Sequence, residues 1–144
     1  MIEILIVEDN DGDVVLFERA FESVKSGKKL QFVSDGEEAL NFLYRKKGYE
    51  SAHRPDLVLL DLNIPKINGR EVLKVIKSDP DLKAIPVVIF TSSLAIKDIT
   101  ECYNLHANSY VIKPMDYFSF EETVRKLGEF WLDTVKFPPK MDET

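Results

Sequence analysis

Five short apolar runs, each followed by a segment whose apolar residues recur at helical spacing, constrain this chain more than any other feature in it. The runs cover residues 3–7, 30–34, 57–61, 87–91 and 109–112. Strand-length runs alternating with helical periodicity are the pattern of a parallel sheet with helices on both faces. Several runs are continuously apolar, as strands buried on both faces must be, and the inner ones are the most apolar. The spacing predicts helices over about residues 12–26, 36–46, 69–77, 95–106 and 116–135, with Gly27 just past the end of the first. The fold expected is a doubly wound five-stranded α/β sheet.

A chain of 144 residues that is 44% hydrophobic can bury one core, so one domain over residues 1–137 is expected, followed by an extended, disordered tail over 138–144 that opens on Pro138 and Pro139. Residues 46–55, KKGYESAHRP, read as a polar surface loop. The formal charge of −6 argues against a nucleic-acid partner, because a polyanion is repelled at long range. Cys102, the single cysteine, has no disulfide partner and reads as a buried helix residue. No apolar run approaches membrane-spanning length, so a cytoplasmic protein is expected.

Ligands of such a sheet bind outside the carboxyl ends of its strands. Those ends carry Glu8 and Asp9 after the first strand, Asp61 on the third, Thr91 on the fourth and Lys113 after the fifth. Three carboxylates in one cleft repel one another unless a cation lies among them. With oxygen donors only and no local Cys or His cluster, Mg²⁺ suits them better than zinc. Thr91 can donate to an anion and Lys113 can neutralise it, which together make a phosphoryl-shaped site with Asp61 as its nucleophile.

These residues stand in motifs that resemble the response-regulator receiver domains of two-component signalling. IVEDN at 6–10, LLDLNIP at 59–65, VIFTSS at 88–93 and YVIKP at 110–114 follow the family's order and spacing, with SDGEEAL at 34–40 between the first two. The resemblance implies a flavodoxin-like (β/α)5 fold, with strand order 2-1-3-4-5 carried over by analogy with the chemotaxis member. It implies phosphorylation of Asp61 by a histidine kinase, with Glu8, Asp9, Asp61 and the Asn63 backbone carbonyl serving Mg²⁺ and Thr91 and Lys113 contacting the phosphoryl group. Tyr110 matches the aromatic switch that moves inward with the threonine. The Lys113–Pro114 peptide is expected to be cis, and Asn108 to take the left-handed conformation at the end of the fourth helix, where many relatives have glycine. Glu8 stands where an aspartate is often found.

Length, the 46–55 loop and the EFWLDTVKFP ending resemble small stand-alone regulators of phytochrome-type histidine kinases. The 31 residues after Lys113 leave no room for a DNA-binding output domain, so output is expected through protein contacts. Phe130, Trp131, Val135 and Phe137 make an apolar ending whose residues point in several directions, and a homodimer through the last helix and tail is expected.

Two other classes remain to be weighed. A haloacid-dehalogenase-type phosphatase would need a second aspartate two residues after its nucleophile, where this chain has Asn63. A flavodoxin-type flavin site is opposed by Glu8, Asp9, Asp11 and Asp13, which repel phosphate. The DNDGD stretch at 9–13 lacks the glycine and glutamate positions of a calcium loop, and Asp11 or Asp13 is expected to favour the first helix's N-terminus instead. His53 and His106 are read as surface residues.

Overall fold

The computed structural model describes residues 1–140. Its strands are β1 (Ile2–Val7), β2 (Lys28–Val33), β3 (Leu57–Leu60), β4 (Val87–Thr91) and β5 (Ser109–Ile112). The helices between and after them are α1 (Asp11–Glu22), α2 (Gly36–Leu43), α3 (Gly69–Ser78), α4 (Ile96–Asn104) and α5 (Tyr117–Glu129). All pairings are parallel and the spatial order is β2-β1-β3-β4-β5. The expected topology is therefore observed.

Alternate residues of each strand feed opposite faces, as the pleat requires. Leu57 and Leu59 of β3 join Phe17, Phe21, Phe90, Phe120 and Val124 in the layer under α1 and α5. Val58 and Leu60 join Leu43, Val72, Leu73, Ile76 and Cys102 in the layer under α2, α3 and α4. Every residue of β3 and β4 is buried, which accounts for their unbroken apolar runs. Strand β1 splits the chain's order between β2 and β3, so its carboxyl end opens the crevice at the switch point of the winding.

Four helices start on a side-chain cap: Asn10, Asp35, Asn68 and Asp116 each accept a backbone N–H three residues on. Asn10, rather than Asp11 or Asp13, caps α1; the two aspartates lie in its first turn. α1 ends at Glu22, earlier than its periodicity suggests, and Val24 is buried beyond the helix end. α5 gives way at Phe130 to a single π-helical turn, Phe130–Thr134, in which the Val135 N–H donates to the Phe130 carbonyl at 3.0 Å.

Other expectations are corrected. The Lys113–Pro114 peptide is trans, the intrinsically favoured isomer even before proline, and Lys113 reaches the crevice in that form. His106, with φ 71°, takes the left-handed position after α4. Asn108 instead receives the Val87 N–H at 2.9 Å and the Lys77 ammonium at 3.2 Å on its Oδ1, clamping the start of β4. The 46–55 loop is anchored by Tyr49, whose ring packs edge-on to Phe42 and whose hydroxyl donates to Glu38 at 2.6 Å. At the chain's end, residues 138–140 carry no regular structure, but Lys140 is held to Glu3 at 2.9 Å and Asp56 at 3.4 Å. The remainder of the expected tail, 141–144, lies outside the described residues.

Candidate functional site

The carboxyl ends of β1, β3, β4 and β5 meet as the strand pattern implies. Each strand delivers its polar residue at the point where the apolar core ends. Glu8 directly follows β1 and its N–H still donates to the Val33 carbonyl of β2. Asp61 directly follows β3, and its N–H donates to Val7. Both side chains are almost completely buried, whereas Asp9 is exposed. Oxygen atoms of Glu8, Asp9 and Asp61 lie within 4.8 Å of one another.

The turn after Asp61 is shaped by close backbone contact. The Asn63 N–H donates to Asp61 Oδ1 at 3.2 Å, which helps to orient the carboxylate. Gly69 opens α3 directly against this turn, and a Cβ there would lie 2.2 Å from the Asp61 carbonyl oxygen. Only glycine allows that approach.

Lys113 closes the site. Its Nζ donates to Glu8 Oε2 at 2.7 Å, Asp61 Oδ2 at 2.8 Å and Asp13 Oδ2 at 2.9 Å, with only 8% of the side chain exposed. Burial alone would favour the neutral amine, but the hydrogen bonds that Lys113 donates to Asp61, Glu8 and Asp13 outweigh it and hold the ammonium well above its ordinary range. For Glu8 the balance is reversed. Burial, assisted by the Asp61 charge, pushes its carboxyl up to about 7 against the opposing pull of Lys113 and the Asn10 N–H.

Thr91 is fully buried at the end of β4, where its hydroxyl oxygen faces the Ser93 N–H at 3.5 Å. From Ser93 a hydrogen-bond chain leads away from the site. The Ser93 hydroxyl donates to Asp98 Oδ2 at 2.6 Å, and Arg70 donates to Asp98 Oδ1 at 2.7 Å, tying α3 to the start of α4. Tyr110 is half-buried against the core and donates its hydroxyl to the Ser93 carbonyl at 3.0 Å.

Glu8, Asp9, Asp61 and Lys113 thus come together, with Thr91 at the end of the neighbouring β4. Asp11 and Asp13 both lie in the first turn of α1, where one or the other is expected, and the structure brings Asp13 into the site as well. Its signal was the position of α1 directly after β1, which sets its first turn beside Asp9.

Buried Glu8, raised in pKa, with Asp61 and Asp9 close by, makes a donor set of hard oxygens with excess negative charge. These residues fit a hard divalent cation. Histidine or cysteine is absent from the cluster, so nothing favours a softer metal.

Comparison with known proteins agrees with this geometry. Response regulator Rcp1 of Synechocystis is 42% identical over 135 residues, covering 94% of this chain and 92% of that protein. The probable methanogenesis regulatory protein FilR2 of Methanothrix harundinacea is 40% identical, covering 94% and 86%. The crystal structure of the Mn²⁺-bound form of Rcp1 superposes with a TM-score of 0.94 over 96% of this chain and all of that one. The phosphorylated cyanobacterial phytochrome response regulator RcpA matches with a TM-score of 0.92 at 43% identity, covering 95% and 98%. The model of the response regulator receiver domain matches residues 4–125. With this family match, these identities and the shared fold, the chain belongs to the response regulator receiver domain family.

Proposed function

We propose that Asp61 is the phosphoacceptor of this response regulator and that a histidine kinase of the phytochrome type is the donor. The observation that carries the reading is the Lys113 ammonium 2.8 Å from the Asp61 carboxylate, at the sheet edge where Glu8 and Asp9 also converge. In the transfer, an Asp61 carboxylate oxygen attacks phosphorus and forms the new O–P bond. The N–P bond to the donor imidazole breaks, and its electron pair stays on the ring nitrogen, which takes a proton from solvent. Lys113 neutralises charge on the phosphoryl oxygens, and the Thr91 hydroxyl donates to one of them. Positioning and electrostatics supply most of the catalysis in such a reaction.

Mg²⁺ is the cation proposed, held by Glu8, Asp9, Asp61 and the Asn63 carbonyl; it would further neutralise the phosphoryl group. Hydrolysis of the acyl phosphate at the same site would return the protein to its resting state. Tyr110 is proposed as the switch, since movement of Thr91 would alter the Ser93 backbone that its hydroxyl engages. Kinship with RcpA, described as a phytochrome response regulator, supports the kinase class.

The receiver unit proposed spans 1–137, with 138–144 as a tail, acting in the cytoplasm without direct nucleic-acid contact. Output through a homodimer is part of this reading. Phe130 is half-exposed, while Trp131 and Phe137 stack on each other, so Phe130 is the apolar group of the ending best placed to meet a second copy. Monomer alone in light scattering at high concentration, with and without phosphorylation, is the result that excludes the dimer.

The site itself is tested by acetyl phosphate with and without Mg²⁺, read by intact mass. Wild type is expected to gain one phosphoryl group with Mg²⁺, and Asp61→Asn none. Equal labelling of both proteins would overturn the assignment.

A further inference from the structure

An ammonium has three N–H donors, and Lys113 uses one on each of Glu8, Asp61 and Asp13. Two of these acceptors have a second task. Glu8 and Asp61 belong to the three-carboxylate cluster that fits a divalent cation, and Asp61 is also the proposed acceptor of the phosphoryl group. Asp13 lies outside that cluster. When cation and phosphoryl group draw on Glu8 and Asp61, Asp13 is the carboxylate left to hold the lysine.

From this geometry we infer that Asp13 is a positioning residue for the phosphotransfer reaction, acting through Lys113. The inference rests on the reading of Lys113 as a phosphoryl contact. Asp13 is itself well placed for the task. Its backbone N–H is fixed at 2.9 Å by the Asn10 cap, and its side chain is only 23% exposed, so the carboxylate is delivered from a rigid first turn of α1. Lys113 reaches the site from the end of β5, on a long flexible stem. A second anchor on that stem limits where the ammonium can sit, and geometry of this kind is worth a large rate factor in a reaction governed by positioning.

A purely local role for Asp13, favouring the α1 terminus by its charge, makes a different prediction. Asp11 sits in the same first turn, is exposed, and makes no bond to Lys113. Asp11→Asn therefore controls for the helix-terminus effect.

The test uses the full chain, acetyl phosphate and saturating Mg²⁺, with phosphorylation followed by intact mass. Asp13→Asn is expected to slow labelling about tenfold at saturating donor, while Asp11→Asn stays at the wild-type rate. In a Lys113→Ala background, Asp13→Asn should bring no further loss. The second readout is NMR of the Lys113 side-chain ammonium, recorded with Mg²⁺ alone. Its slowly exchanging signal should persist in wild type and be lost in Asp13→Asn. If Asp13→Asn does not fold, Asp13→Ser is read by the same criteria. A labelling rate within twofold of wild type with an unchanged lysine signal overturns the inference, as does an equal loss in the Lys113→Ala background. Failure of wild type to label at all, or labelling of Asp61→Asn, instead overturns the site reading on which it rests.

Discussion

Gly69 packs against the carbonyl of Asp61 so closely that a Cβ would come within 2.2 Å of its oxygen and 2.6 Å of the Leu62 Cα. Both partners are backbone, so no side chain can swing away to make room. Gly69→Ala must push α3 or the Asp61 turn outward, and overpacking of this kind costs about 1–3 kcal/mol or more. Urea denaturation should show that loss, and acetyl phosphate labelling of the folded fraction should slow, because the displaced atoms carry Asp61.

Stability should fall as pH rises through the range in which buried Glu8 ionises. Its carboxyl is raised from an ordinary 4.5 to about 7, so between these values the folded protein holds a proton that the unfolded chain has released. The contribution is fully present below about pH 4.5 and lost as pH rises through about 7. The difference is about 3 kcal/mol in the metal-free protein. Denaturation midpoints measured from pH 4.5 to 8 should show the decline, Glu8→Gln should flatten this component, and excess Mg²⁺ should oppose it by favouring the charged carboxylate. A midpoint that climbs through this window in metal-free protein, with no difference between wild type and Glu8→Gln, would contradict the assignment.

Tyr110→Phe removes the hydroxyl that donates to the Ser93 carbonyl while keeping the ring in the core. The expected cost is about 1 kcal/mol, the usual net worth of one hydrogen bond. Its distinctive effect should be local. Hydrogen exchange at the start of α4, held by Ser93 and Arg70 through Asp98, should quicken relative to α1.

Phe137 stacks on Trp131 at 5.8 Å between ring centroids, and both pack on the layer under α1 and α5. Phe137→Ala should destabilise the protein by about 1–2 kcal/mol for a half-buried aromatic. Trp131 is the only tryptophan, so its emission reports the change directly and should shift to the red as the ring gains water. Unshifted emission would mean that the stack does not shield the indole in solution.

Much of this molecule follows from the order of residues alone. A period of two is absent from Leu57–Leu60 and Val87–Thr91 because those strands are covered on both sides, and their full burial confirms it. Once the strands are parallel, their carboxyl ends must share one edge, so the proximity of Glu8, Asp61, Thr91 and Lys113 is a consequence of topology and motif spacing. Local patterns do not determine partners distant in sequence. Asp13 reads as a helix-terminus acid until Lys113, 100 residues away, is seen beside it. Lys140 reads as tail until Glu3, 137 residues away, is found to hold it.

The left-handed residue after α4 shows the same division at close range. Asn108 has the intrinsic preference for that conformation, yet its side chain is engaged by Val87 and Lys77, and His106 takes the turn. Sequence determined the alternation of elements, the two-layered core and the residues at the strand ends, because periodicity and parallel topology act over short stretches and whole strands. Tertiary structure alone decided the third carboxylate on Lys113, the clamping of Asn108 and the anchoring of Lys140. Each depends on contacts between distant segments, which form only when the sheet brings those segments together.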